Sequence, residues 1–207
     1  MAARHLPIAA LTHTISIGAD FTASPAGIVV AQGDTVNFTN NSGSDITIQF
    51  LSNTPGQNIY PNMSLPVTKG TTAGFTVPNA NCAANYNITV NGQVMNGTPY
   101  VIQVGSGPMY VLITGSLASP DFNPATVAVP LGSAATGMGY LQMQSQIPNV
   151  VVPIYWTTNP FNPGITQSGP AQPVKSGTST GSYSYSNTPQ PRPHAMVGGG
   201  TVIIKSS

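Results

Sequence analysis

The sequence predicts an all-β protein made of two tandem Greek-key β-sandwich domains. The 207 residues include 22 glycines and 20 prolines, which interrupt helical patterns along most of the chain. Threonine, serine and asparagine accompany valine and isoleucine, a composition typical of short strands joined by turns. Apolar residues alternate in several segments, as Val36 and Phe38 do, which indicates strands with one buried face.

Turn sequences such as Gln32–Asp34 and Asn91–Gly92 separate the candidate strands of the first half. Seven or eight short strands at this spacing predict a sandwich of two sheets. The predicted strands are His13–Gly18, Ile28–Ala31, Thr35–Thr39, Ile46–Leu51, Leu65–Lys69, Thr72–Val77, Tyr86–Val90 and Tyr100–Val104.

The second half of the chain repeats the first. Residues Ser24–Gly33 align with Asn123–Gly132, and residues Pro66–Gly74 align with Pro173–Gly181 in the same order. The second copy carries extra residues between its two blocks. Two blocks in one order indicate an internal duplication.

The segment Gly105–Pro108 is the natural boundary between the two copies, because glycine and proline interrupt the pattern between two predicted strands. We therefore predict an N-terminal arm over residues 1–12, one sandwich over residues 13–105 and a second over residues 109–207. The second sandwich is expected to open with a strand at Tyr110–Gly115.

The stretch Phe21–Gly43 contains a proline-led strand, Ser24-Pro-Ala-Gly-Ile-Val-Val, and a Gly-Asp-Thr-Val turn that enters the next strand. This arrangement resembles the opening of a cupredoxin domain. The resemblance covers most of the first half of the chain and, more loosely, the second half. It implies that each copy is a cupredoxin-like sandwich, while an immunoglobulin-like sandwich remains the alternative for the same strand pattern.

The copper site that this resemblance implies lacks its ligands. A blue-copper site of that family needs a histidine soon after the Thr-Asn-Asn segment, then cysteine, histidine and usually methionine on one late loop. Here Ser44 and Asp45 follow that segment, and no ligand follows Cys82 closely. His194 and Met196 fall on the late loop of the second copy without a cysteine. We therefore predict no metal and no cofactor.

The composition excludes several classes of function. Charged residues make up 4% of the chain, the acidic residues are four aspartates without glutamate, and the net charge is +1. Such a chain has no basic surface for nucleic acid, and its apolar stretches are too short for an integral membrane segment. The carboxylates and histidines needed for acid–base catalysis are few and scattered. We therefore predict no catalytic residues and no enzyme activity.

The loop Tyr155–Gly164 is a candidate contact for glycans. It holds the only tryptophan, and aromatic faces beside asparagine and threonine form platforms on which sugars bind. The residues expected to take part are Tyr155, Trp156, Asn159 and Phe161. The alternative is that Tyr155 and Trp156 end a strand and pack into the core.

The near absence of charge predicts self-association, because charged edge strands and a charged surface normally keep small domains apart. We expect a non-enzymatic subunit of an extracellular or surface filament, coat or capsid-like layer, with copies of itself as the main partner. In the N-terminal arm, Leu6, Ile8 and Leu11 are expected to carry assembly contacts. The alternative function is that of a lectin or adhesin that binds a glycan or a cell surface.

Overall fold

The computed structural model describes residues 10–52, 59–60, 62–97, 99–133, 137–189 and 199–206. These residues form twenty β-strands and no helix, so the prediction of an all-β protein is confirmed. No helix that could cross a membrane is therefore found in the described part of the chain.

The first ten strands form one β-sandwich. They are β1 (Thr12–Ile17), β2 (Ala23–Ser24), β3 (Gly27–Val30), β4 (Thr35–Asn40), β5 (Ile46–Ser52), β6 (Ser64–Val67), β7 (Thr72–Thr76), β8 (Ala83–Val90), β9 (Gln93–Val94) and β10 (Tyr100–Val104). One sheet has the order β2-β1-β4-β7, and the facing sheet has the order β3-β10-β8-β5-β6 with β9 paired to β8.

The remaining ten strands form a second sandwich with the same plan. They are β11 (Met109–Ser116), β12 (Ser119–Asn123), β13 (Thr126–Pro130), β14 (Gly132–Ser133), β15 (Gly137–Met138), β16 (Tyr140–Ser145), β17 (Tyr155–Trp156), β18 (Gln172–Pro173), β19 (Gly181–Ser186) and β20 (Gly199–Lys205). Its sheets have the orders β12-β11-β16-β18 and β13-β20-β19-β17, and β14 and β15 pair separately.

Each sandwich contains two parallel strand pairs at matching places. Strand β1 runs parallel to β4 and β3 to β10, as β11 does to β16 and β13 to β20. These mixed sheets differ from the antiparallel sheets of an immunoglobulin sandwich. The two tandem β-sandwiches predicted from the sequence are therefore observed, and their mixed sheets favour the cupredoxin-like prediction over the immunoglobulin-like alternative.

The two aligned sequence blocks have different structural outcomes. The first block holds β3 and β13, which occupy equivalent places and each pair in parallel with the last strand of their sandwich. In the second block, Pro66 pairs with Thr47 of β5, whereas Pro173 pairs with Tyr140 of β16, the counterpart of β4. The second alignment is therefore wrong as a strand correspondence. What the two segments share is a left-handed glycine turn, at Gly70 and Gly177.

Each sandwich has its own apolar core. Inward residues of β4 and β5 alternate with outward ones, and Phe38, Phe50 and Tyr86 fill the centre of the first core. Phe122 and Tyr185 take the corresponding role in the second. Burying such side chains stabilises the fold by about 1.5 to 3 kcal/mol each.

The two cores share one sheet of the first sandwich. Strand β10 is buried along its whole length, because its inner residues face the first core while Val101 packs into the second. Ala83 of β8 also belongs to the second core. The N–H of Gly27 on the edge strand β3 donates to the carbonyl oxygen of Ser206 at 2.9 Å.

Candidate functional site

Trp156 lies on the two-residue strand β17 and is half-buried. Its indole N–H donates to the carbonyl oxygen of Ile165 at 2.6 Å. Its ring packs on Tyr185 with the centroids 5.1 Å apart and on Phe161 with the centroids 5.6 Å apart. The protein itself therefore uses both the polar group and much of the apolar surface of this tryptophan.

The other predicted glycan-contact residues differ in exposure. Phe161 is 3% exposed and packs in the second core. The side-chain amide of Asn159 donates to the carbonyl oxygen of Ile165 at 2.9 Å and accepts from the N–H of Phe161 at 3.1 Å. Tyr155 is 38% exposed. The structure brings Trp156, Asn159 and Phe161 together beside Ile165, and of the three rings only that of Tyr155 belongs to an exposed residue.

A groove of about 250 Å³ lies between this loop and the segment Lys175–Ser179. Pro160 connects its two sides: the carbonyl oxygen of Pro160 accepts hydrogen bonds from the N–H of Lys175 at 2.7 Å and from the hydroxyl of Thr178 at 3.3 Å. The hydroxyl of Tyr183 donates to the carbonyl oxygen of Ser179 at 2.7 Å. The groove thus offers hydroxyl groups, one aromatic ring and the exposed ammonium group of Lys175, which suits a small polar ligand. Its lining residues are Thr158–Pro160, Lys175–Ser179 and Tyr183.

The segment Gly177–Gly181 has the Gly-x-Ser-x-Gly spacing of a hydrolase nucleophile elbow, a match that our sequence analysis missed. In such enzymes the serine sits on a strand-to-helix turn with a histidine base beside it. Here the segment connects strand β18 to strand β19, and the described residues contain no helix. The one described histidine, His13, bonds to Asp34 in the other sandwich. The segment is a glycine turn, and its residues Gly177–Ser179 line the groove.

The described residues do not fit a copper ion. Cys82 is fully buried, and its thiol lies 3.7 Å from the carbonyl oxygen of Asn79. Burial raises the pKa of this thiol. No group of three His, Cys, Asp or Glu side chains converges within the described ranges. His194 and Met196 lie outside them, so the ligand fragment on the late loop is not described.

Asp34 holds the base of the N-terminal arm. Its carboxylate accepts from the N–H groups of Leu11 and Ala31, each at 2.9 Å, and bonds the Nε2 atom of His13 at 2.8 Å. Burial alone would raise the pKa of Asp34, but these hydrogen bonds and the His13 charge lower it below its ordinary value.

Leu11 is fixed by its main chain and open at its side chain. Its carbonyl oxygen accepts from the N–H of Thr35, so it extends β1, and its side chain is 58% exposed. Leu6 and Ile8, the other two residues predicted for assembly, lie outside the described residues. The predicted arm is thus anchored in its own sandwich from Leu11 onward.

Strand β7 is an edge strand without charge or proline. Among the described strands it pairs only with β4, and its sequence is Thr-Ala-Gly-Phe-Thr. The other edge strands of the four larger sheets differ. Strand β3 is buried along its whole length, and β2, β17 and β18 have two residues each. Prolines lie in β6, β12 and β13, at Pro66, Pro120 and Pro130, and β12 also contains Asp121. Short edges, prolines and charges are the usual protections against strand addition.

Comparisons with known proteins find distant structural similarity alone. No protein-family model matches the chain, and no curated protein matches it. Solved structures similar to parts of it include a purple cupredoxin from Nitrosopumilus maritimus, at 20% identity over 44% of this chain and 98% of that one, with a TM-score of 0.34.

Two further structures are similar over most of this chain. The copper-containing nitrite reductase of Thermus scotoductus SA-01 shows 16% identity over 96% of this chain, with a TM-score of 0.36, and the chain spans 62% of that protein. The multicopper oxidase mgLAC shows 12% identity over 96% of this chain and 86% of that one, with a TM-score of 0.38.

Proposed function

We propose that this protein is a non-enzymatic structural subunit that assembles with copies of itself into an extracellular or surface filament, coat or capsid-like layer. The observation that carries the proposal is the edge strand β7, which among the described strands pairs only with β4 and leaves its other side to a further strand. A strand of this kind is a template for pairing with a second chain.

The surface offers little repulsion between copies. Asp34 is buried, and Lys205 is half-buried with its ammonium group 5.2 Å from the centroid of the Tyr100 ring. A nearly neutral surface promotes association. The exposed charged residues of the described ranges are Asp20, Asp45, Asp121, Lys69 and Lys175.

Sedimentation velocity over a range of concentrations tests the proposal. We expect large species that grow with concentration and persist equally in low and high salt, because hydrogen bonds and apolar contacts rather than ion pairs would join the copies. Sedimentation as a monomer at every concentration would refute self-assembly.

A second candidate function is glycan binding at the groove that Thr158–Pro160 and Tyr183 line. The hydroxyl groups of Thr178 and Ser179 and the ring of Tyr183 line a space that suits a sugar ring. Retention on a panel of immobilised glycans tests this function. Binding that is lost in Tyr183→Ala and kept in Tyr110→Ala would support it, whereas no retention on any glycan would exclude it for that panel.

A further inference from the structure

The hydrogen-bonding pattern of β7 shows which of its main-chain groups face outward. The N–H of Asn40 bonds to the carbonyl oxygen of Thr71, and the N–H of Val77 bonds to that of Asp34. Alternate residues of an antiparallel strand face the partner, so Ala73 and Phe75 point their main-chain groups toward β4. Thr72, Gly74 and Thr76 therefore point theirs toward the side of β7 on which no described strand pairs.

The side chains of β7 divide in the same alternation. Ala73 and Phe75 are half-buried against the first core, and Phe75 lies 5.6 Å from Phe50 and 5.2 Å from Tyr60 between ring centroids. Thr72, Gly74 and Thr76 are exposed on the outer face. An apolar strand added to this edge would gain most by placing its side chains beside Ala73 and Phe75.

The arm sequence Leu6-Pro7-Ile8 fits this edge in one orientation. Pro7 has no N–H and must face away from the partner strand, so Leu6 and Ile8 face it with their main-chain groups. In antiparallel pairing they would lie opposite the exposed residues of β7, with their side chains in solvent. In parallel pairing they lie opposite Ala73 and Phe75, beside the core.

We propose that β7 accepts residues Leu6–Ile8 of a second copy as an added parallel strand. This inference rests on the proposed self-assembly and names its contact. Leu6 then lies opposite Ala73, bonding to Thr72 and Gly74, and Ile8 lies opposite Phe75, bonding to Gly74 and Thr76. Pro7 closes the new edge, because the outer side of the added strand lacks an N–H at that residue.

The occupant is a second copy because the arm cannot reach its own β7 in this register. Leu11 is fixed at the start of β1, and β7, β4 and β1 are consecutive in the sheet. A strand outside β7 lies three strand spacings from β1, about 14 Å. Three residues, from Ile8 to Leu11, span at most about 11 Å.

Disulfide trapping between two variants tests this contact. A Leu6→Cys protein is mixed with an Ala73→Cys protein, and separately with a Thr72→Cys protein as the matched control, each retaining the buried Cys82. Facing residues of adjacent strands lie within disulfide reach, whereas Thr72 presents its side chain on the opposite face. We expect a covalent dimer from the first mixture and at most one tenth as much from the second.

Four outcomes would overturn the inference. Equal dimer yields with both partners would show a non-specific encounter, and a higher yield with Thr72→Cys would show the antiparallel register. Sedimenting assemblies without any cross-link would leave self-assembly standing and refute the arm contact. Absence of both assemblies and cross-links would refute the proposed function together with this inference.

Discussion

The side-chain amide of Asn85 bonds to the main chain of Ala128 in both directions. Its Nδ2 atom donates to the carbonyl oxygen of Ala128 at 3.0 Å, and its Oδ1 atom accepts from the N–H at 3.1 Å. Asn85 belongs to the first sandwich and Ala128 to the second, and both are buried. One side chain thus pairs with β13 as a neighbouring strand would.

A second buried amide repeats this arrangement. Gln103 accepts from the N–H of Tyr140 at 2.9 Å and donates to the carbonyl oxygen of Met138 at 3.0 Å. Together with Asn85 it fixes the two sandwiches against each other at main-chain atoms, which apolar contacts alone would not position so specifically.

Replacing Asn85 by alanine is expected to destabilise the protein by about 2 to 4 kcal/mol, because the N–H and carbonyl oxygen of Ala128 would remain buried without partners. Urea unfolding measures this change. The exposed Asn62→Ala serves as the control and is expected to change the unfolding free energy by less than about 0.5 kcal/mol. Similar changes in unfolding free energy for both variants would show that the Asn85 amide does not stabilise the contact between the two sandwiches.

Tyr86→Phe is expected to leave the stability unchanged or to raise it by about 1 kcal/mol. The Tyr86 hydroxyl is buried without a hydrogen-bond partner among the described residues, and burial raises its pKa well above the ordinary value. The ring still packs 5.3 Å from Phe38 between centroids. A loss of more than about 1 kcal/mol in urea unfolding would reveal a partner for this hydroxyl.

Asp34 makes the stability depend on pH in the acid range. Its pKa in the folded state lies below the ordinary value of 3.8, so its stabilising contribution is present above that pH and is lost as the pH falls through the lowered pKa. Asp34→Asn should therefore be less stable than the wild type at neutral pH and should show a smaller further loss on acidification. Urea unfolding at several pH values measures both, with Asp121→Asn as the exposed control. Identical pH profiles for Asp34→Asn and the wild type would contradict this assignment.

Trp156→Ala is expected to destabilise the second sandwich by about 3 to 5 kcal/mol, because the ring packs on Tyr185 and Phe161 and its N–H is bonded. The more exposed Tyr155→Ala should cost much less. A thermal melt beside a glycan screen separates the alternatives. An unchanged melt with lost glycan retention would instead support a sugar platform at Trp156.

Thr76→Pro is expected to weaken assembly, because it removes the outward N–H that would bond Ile8 of the added strand. Thr76→Ala keeps this N–H and should assemble as the wild type does. Sedimentation of both variants, after circular dichroism has shown that they are folded, measures the difference. Equal assembly of the two would show that copies meet through another surface.

The strand positions could be predicted from the sequence, because alternating apolar residues and turn residues reflect local geometry. The strand Tyr100–Val104 agrees at both ends, the observed β4 ends one residue later than predicted, and the observed β1 is shifted by one residue at both ends. The contact between the two sandwiches could not be predicted in this way. Asn85 and Gln103 are polar residues within strands, and a polar residue in a strand usually indicates the face that is exposed to solvent. The sequence does not indicate that the second sandwich covers this face.

The candidate sites were predictable to different degrees. Trp156, Asn159 and Phe161 of the loop Tyr155–Gly164 do lie together, but their burial depends on Ile165 and Tyr185. Ile165 has no distinctive sequence signal, and Tyr185 is distant from the loop in sequence. Strand β7 was predicted as a strand. Its place at an edge follows from the order of strands in the sheet, and that order depends on long-range pairing.

Negative-stain imaging of the purified full chain at moderate concentration tests the central claim most directly. Self-assembly through uncharged surfaces and β7 predicts ordered polymers or layers with a regular repeat in both low and high salt. A field of single particles of one-chain size, unchanged as the concentration is raised, would contradict it.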